Sequence, residues 1–311
     1  MPATEIATRF AYAEELAHLG NELPHLVVLD ADVGKSFNTS FAQEHPQRCF
    51  NFGIAEQNAV SAAAGLATTG LLPFVNTFAI FASLRAMDQI RTTVCYPSLN
   101  VKIAGSHAGL TTATNGATHQ AMEDIALMRA LPNMTVIMPA DAASTRLALR
   151  AAAQWDGPVY LRLTRVPVPA IYDDRLDFQI GRAITVQAGQ DVTLMAIGDM
   201  LPKALQAAAQ LAGQGISARV VDMHTIKPID ESAILAAARQ TGGIVTVEDH
   251  TIVGGLGSAV AEVLAEKHPA RLRRIGTRDR FTESGDYEAL LSKYGLSVEH
   301  IVAAAREVLA R

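Results

Sequence analysis

The chain has 311 residues, 49% of them hydrophobic, and a formal net charge of −5. That length buries a sizeable core, most naturally in two domains, and the acidic balance excludes a surface built for nucleic acid or an anionic membrane. Two cysteines, Cys49 and Cys95, without C-x-x-C spacing, exclude a disulfide scaffold and a cysteine zinc site and suit a reducing cytoplasm.

The opening MPATEIATRF lacks the basic-then-apolar pattern of a secretion signal. An amphipathic segment begins near Thr4, a candidate N-cap, and leads to the apolar strand HLVVLDADV. From Gln57 to Leu84 there is no charged residue, a run long enough to raise the question of a membrane helix. Gly65, Gly70, Pro73 and Asn76 interrupt it, so it reads as a buried helix (EQNAVSAAAGLAT), a turn at Gly70 and a buried strand (LLPFVNTF). NVKIAGS, MTVIMPAD and PVYLRL are further strands, with the helix DAASTRLALRAAAQ between the last two. Near-continuous apolar strands alternating with helices predict a mainly parallel sheet covered on both faces.

Between Val166 and Gly189 the pattern lapses: VPVPAIYDDRLDFQIGRA has two prolines, an acidic pair and no helical period. Residues 171–188 therefore read as a linker between a first domain over 1–170 and a second over 189–311. In the second, DVTLMAIGD, a helix over 201–213, ISARVVDMHTI, a helix over 230–240, GGIVTVED, a helix over 257–267 and two terminal helices restore the α/β alternation.

In open parallel sheets, function gathers in the loops after the carboxyl ends of strands. Here those loops carry Asp30 and Asp32, then Ser106 and His107, and later Arg165. Glu56 is a lone acid at the head of the uncharged run. Apolar surroundings disfavour the charged carboxylate and suit a group that shares a proton, whereas an acid at a helix start stabilised by the helix dipole is the plainer alternative. Phe78 and Phe81 are three apart, so on a helical turn they share a face and could stack on a flat heterocycle; a plain core pair has the same spacing. The loop GSHAGLTTATNGATHQ, residues 105–120, is long, rich in glycine and threonine, and carries His107 and His119, which fit hydrogen bonding or proton transfer around a polar substrate better than metal binding. GGLGSAV at 254–260 lacks the phosphate-loop pattern and reads as a turn opening a helix.

GIAEQ, then TFAIF, then GATHQAMEDIALMRALPNM, in this order and spacing, resemble the C-terminal half of transketolases, which use thiamine diphosphate. VVDMHTIKPID and VEDHTIVGGLGSAVAE resemble the family's C-terminal domain, so the resemblance runs along essentially the whole chain. It implies an α/β fold of two domains, a pyrimidine-binding domain followed by the transketolase C-terminal domain, each a mainly parallel sheet flanked by helices. It also implies that Glu56 hydrogen-bonds a ring nitrogen of the cofactor's aminopyrimidine and so promotes loss of the thiazolium proton. Phe78 and Phe81 would stack on the pyrimidine, and Asp32 would support cofactor binding across an interface. Arg9, Ser36, His107 and Arg165 match the four positions that grip the substrate's terminal phosphate. His119 matches the histidine that contacts the donor's hydroxyls and assists proton transfer.

Two positions depart from the family. Asn115 stands where an aspartate usually reads a sugar hydroxyl, and Leu84 replaces the third aromatic of the pyrimidine wall. No G-D-G motif for Mg²⁺ and diphosphate occurs. The expectation is therefore the C-terminal subunit of a split, cytoplasmic transketolase. A separate N-terminal subunit would bring the diphosphate and Mg²⁺ half, in a heterotetramer acting on sugar phosphates. The alternatives are the beta subunit of a 2-oxo-acid dehydrogenase, or a catalytically silent regulatory subunit.

Overall fold

The computed structural model describes residues 5–33 and 39–310. The first domain is built on a seven-stranded sheet. Its central strand, Lys102–Ser106, is followed by Leu72–Phe78 and then Leu26–Asp30, all parallel. Cys49–Asn51 flanks Leu26–Asp30, and Val159–Arg162 and Thr135–Ile137 continue the other side. Leu26–Asp30 and Lys102–Ser106 are buried throughout, as expected of strands covered on both faces. The uncharged run behaves as its composition dictates. Glu56–Ala67 is a helix whose Ala59, Val60, Ala63 and Ala64 are buried, the chain turns at Gly70 with φ +87°, and Leu72–Phe78 follows.

Among the described residues no helix is long and apolar enough to cross a membrane.

The second domain carries five strands in the order Leu272–Thr277, Ile244–Thr251, Val192–Ala196, Ala218–Asp222 and Ile184–Gln187, the last antiparallel and the rest parallel. Both predicted domains are therefore present as two α/β units with mainly parallel sheets.

Their boundary differs from the expected one. Ile184–Gln187 falls inside the predicted linker, yet it is an edge strand of the second sheet. The predicted strand ISARVVDMHTI is two strands, and its second piece, Thr225–Lys227, crosses over to pair antiparallel with Thr135–Ile137 in the first sheet. The rest of the linker is packed rather than loose. Asp141 caps the helix Ala142–Gln154 and its Oδ2 also accepts from the amides of Ile171 and Tyr172, at 2.7 and 2.8 Å, while the Phe178 ring lies 4.2 Å from that of His224. Two further strands, Cys49–Asn51 and Leu272–Thr277, were not expected from the sequence.

A small two-stranded ribbon positions much of the site. Glu5–Ile6 pairs antiparallel with Val168–Pro169, and Thr8 Oγ1 lies 3.0 Å from Thr164 Oγ1 while accepting from the Thr164 amide at 2.8 Å. These bonds bring Arg9, one residue on from Thr8, and Arg165, one on from Thr164, to the carboxyl edge of the sheet.

Candidate active site

Glu56 is 1% exposed at the first turn of its helix. It is not alone in apolar surroundings, as the sequence suggested. Arg85, 29 residues on, reaches back and donates from Nη1 to Glu56 Oε1 at 2.6 Å. Glu56 Oε2 is buried and has no hydrogen-bond partner among the described residues. Arg85 is a cavity-lining residue that sequence reasoning missed. It follows the aromatic pair on a wide-turn helix, Phe81–Arg85, and the wider turn lets its guanidinium lie 4.2 Å over the Phe81 ring while still reaching Glu56.

Phe78 and Phe81 do stack, with centroids 5.8 Å apart and planes 4° from parallel, but not on one helical face. Phe78 ends a strand and Phe81 opens the wide-turn helix, so the strand-to-helix junction makes the pair. His119 stands edge-on to both rings, at 6.0 and 5.4 Å, and its Nδ1 is 2.9 Å from Thr118 Oγ1. Together with Asp32, Ile54, Glu56 and Arg85 these side chains line a cavity of about 470 Å³. Leu84, expected on the cofactor wall, does not line it and is 50% exposed.

Beside this cavity lies a cluster of cationic and imidazole groups. Arg9 Nη1 donates to His107 Nε2 at 3.0 Å, so Nε2 is the acceptor and the ring proton sits on Nδ1. From there it is donated to Ser106 Oγ, also at 3.0 Å, which in turn donates to the Thr77 carbonyl. Burial first, then the charges of Arg9, Arg165 and His119, push the His107 imidazole down to about 3. Neutral near pH 7 and with its lone pair engaged, His107 is a fixed hydrogen-bonding group and a poor proton carrier, unlike the proton-managing role expected of it. Its ring also stacks on Phe78 at 4.0 Å and so joins the two parts of the site.

Arg165 donates from Nη1 to the Thr112 carbonyl at 2.7 Å and to Asn115 Oδ1 at 3.0 Å. Asn115 is thus turned to the arginine. Arg9 has a lowered pKa, from burial and from the neighbouring charge of Arg165, and its Nε is buried without a partner among the described residues. Two guanidinium groups close enough to repel, one with an orphaned donor, favour an anion between them. Ser36, the fourth expected grip residue, lies outside the described residues.

The loop over 105–120 is structured. Gly109–Asn115 forms a 3₁₀ helix broken at Ala113, and Asp32, His107 and Ala113 all adopt positive φ (56°, 55° and 54°). Left-handed backbone at non-glycine residues costs energy and gathers at functional sites. GGLGSAV opens the helix Leu256–Lys267, as expected, and its N-terminus is already filled: Glu248 accepts from the Leu256 and Gly257 amides at 2.7 and 2.8 Å.

Comparison with known proteins decides the family. Residues 4–169 match the transketolase pyrimidine-binding domain and residues 181–301 the transketolase C-terminal domain. The chain belongs to the transketolase family. It is 45% identical over 304 residues, 97% of this chain and 94% of the relative, to the 6-deoxy-6-sulfo-D-fructose transketolase subunit SqwH of Clostridium sp. strain MSTE9. It is 48% identical over 297 residues, 94% and 93% of the two chains, to a putative transketolase C-terminal section of Methanocaldococcus jannaschii. A split gene transketolase solved as an inactive beta4 tetramer superposes with a TM-score of 0.91 at 51% identity over 99% of each chain. In extent and fold the chain matches the C-terminal subunits of split transketolases.

Transketolases depend on thiamine diphosphate, and the residues present fit its aminopyrimidine. Glu56, whose buried Oε2 has no partner among the described residues, lines a cavity walled by two stacked rings, which suits a flat heterocycle with a ring nitrogen to receive or donate a proton. Among the described residues no group of three or more His, Cys, Asp or Glu side chains is placed to hold a metal ion.

Proposed function

We propose that the chain is the C-terminal subunit of a split transketolase, moving a two-carbon ketol unit from a ketose with an anionic terminus to an aldose. It would act only with a separate N-terminal subunit that brings the diphosphate and Mg²⁺ half, in a heterotetramer. The observation that carries this reading is the convergence of Glu56 Oε2, the Phe78–Phe81 stack and His119 on one cavity, with Arg9, His107 and Arg165 beside it.

When bound, thiamine diphosphate supplies a nucleophilic carbon and an electron sink for cleavage of the ketose carbon–carbon bond. The chain's own residues prepare that chemistry. Glu56 would offer Oε2 to the pyrimidine and hold or release a proton there, while Arg85 fixes the carboxylate through Oε1. Phe78 and Phe81 would form the flat wall against which the ring packs, and Asp32 lines the same cavity. His119, on the cavity wall, faces the donor's hydroxyls and moves protons at the reacting end, whereas His107 orients Arg9. Arg9 and Arg165 take the terminal anion.

Both phosphate and sulfonate suit two guanidinium groups, and the SqwH relative's substrate is named as a sulfo sugar. Reconstitution with a subunit carrying G-D-G, supplied with thiamine diphosphate and Mg²⁺, tests the proposal against fructose 6-phosphate and 6-deoxy-6-sulfo-D-fructose as donors. Ketol transfer from either supports it and the ratio names the anion. Transfer from neither, or transfer undiminished in Glu56→Gln, overturns it.

A further inference from the structure

We infer that Asp249, in the second domain, is a positioning residue for the substrate loop of the first, fixing the backbone that carries Asn115 and His119 and supports Arg165. This rests on reading that loop as the sugar-binding element, and it gives the C-terminal domain a part in the reaction.

Asp249 lies near the end of the strand Ile244–Thr251 and is fully buried. Its Oδ1 accepts from the Leu110 amide at 3.0 Å. Leu110 is in the first turn of the loop's 3₁₀ helix, where an amide has no partner within its own helix. The approach is close enough to require glycine at the preceding position. Gly109 has φ +62°, and a Cβ there would lie 2.2 Å from Asp249 Oδ2.

The far end of the loop is tied to the same residue. Buried Arg162, paired with Asp124 at 2.8 Å, donates from Nη2 both to the Asp249 carbonyl at 2.9 Å and to the Ala121 carbonyl at 3.0 Å. The second domain adds a further grip between these points. Thr282 donates to Gln120 Oε1, and Gln120 Nε2 donates to the Glu283 carbonyl at 3.0 Å.

Between its anchored ends the loop shapes the anion cluster. The Thr112 carbonyl and Asn115 Oδ1 hold Arg165, and Thr112 Oγ1 donates to the His107 carbonyl at 2.5 Å. A loop released at Leu110 moves the acceptors that orient Arg165. Burial, followed by the charge of Asp199, raises the Asp249 carboxyl to about 8, so it is largely protonated at neutral pH and asparagine is its near isostere.

The test compares Asp249→Ala and Asp249→Asn in the full chain, by hydrogen exchange of the isolated subunit and by donor kinetics of the reconstituted complex. Loss of the Leu110 bond in Asp249→Ala is expected to speed exchange across 109–121 about tenfold, with the strand 244–248 within about twofold of wild type. Asp249→Asn keeps the acceptor and should restore the loop to within about threefold. In the complex, Asp249→Ala should raise donor KM about tenfold with kcat within about threefold. Unchanged loop exchange in Asp249→Ala, equal exchange in both variants, or a loosened loop with unchanged KM overturns the inference. Should Asp249→Ala not fold, Gly109→Ala strains the same contact from the loop side, and wild-type exchange there overturns it equally. A wild-type complex inert on every anionic ketose would instead sink the proposed reaction, while the exchange comparison would still decide whether Asp249 positions the loop.

Discussion

Arg85 holds one oxygen of Glu56 and leaves the other free of it: Nη1 lies 2.6 Å from Oε1, while Oε2 is buried with no partner among the described residues. The division gives the carboxylate one fixed point and one working oxygen. Arg85→Ala removes the fixed point and leaves a buried carboxylate unpaired. We expect it to lower the unfolding free energy by about 1–2 kcal/mol, less than for a fully buried pair because Arg85 is 40% exposed. Turnover should fall at least about tenfold from the lost orientation of Glu56. Urea melts of the subunit and assays of the complex measure the two effects; a fully active Arg85→Ala would show that Glu56 needs no such support.

Asn115 accepts from Arg165, so its substitution reports on the anion grip as much as on the sugar. Asn115→Asp creates an ion pair with Arg165 that competes with the substrate's terminal anion. Donor KM should rise by about three- to tenfold, more at low than at high ionic strength. If instead the preference among donor sugars shifts with salt-independent KM, residue 115 reads a hydroxyl.

Arg9→Ala is expected to raise KM for anionic donors by about 10- to 100-fold, the range for a lost charge-assisted hydrogen bond. A donor without the terminal anion, such as fructose, should be used as well as by wild type. Equal losses on both donors would place Arg9's role in holding His107 rather than the anion.

Buried ionisable groups set the pH dependence of stability. Desolvation raises Asp222 and Glu248 to about 7 and Asp249 to about 8, so the native state keeps protons that the unfolded chain loses above its ordinary values of 3.8 and 4.5. Their stabilisation is fully present below those values and is lost as pH rises through about 7 to 8. Desolvation lowers His107 to about 3 and His224 and His250 to about 4, so stability falls as pH drops from 6.5 towards those values. The two sets oppose one another between about 4.5 and 6.5; above 6.5 the acids act, opposed from about 7 upward by Lys102, whose ammonium is lowered to about 7 by burial and so is charged more in the unfolded chain. The melting temperature is therefore expected to decline between pH 6.5 and about 7 and to level off towards 8 as Lys102 offsets the acids, with a shallower decline in Asp249→Asn. A melting temperature that climbs over that interval would contradict the protonated acids.

Much of this was legible because the physics was local. Strands buried on both faces need mostly apolar runs, and LVVLD and LPFVNTF supply them. Leu272–Thr277 was hidden because it is an edge strand whose Arg273 and Arg274 are only half-buried, which erases the apolar signature. The crossover of Thr225–Lys227 was hidden because nothing in TIK names the sheet it joins. At the site, Glu56, Phe78, Phe81 and His119 could be picked out by motif. Arg85 could not, since only the wide-turn helix brings it back to an acid 29 residues earlier. Neither could the Asp249–Leu110 bond, which spans 139 residues.

The strand Thr225–Lys227 stitches the two lobes together. A chain cut between them would leave Thr135–Ile137 as a bare sheet edge, with unpaired backbone groups ready to capture another chain. Neither lobe is a self-sufficient module, so the protein should melt in one step, and the second lobe cannot swing away like a hinged door without first unzipping a sheet.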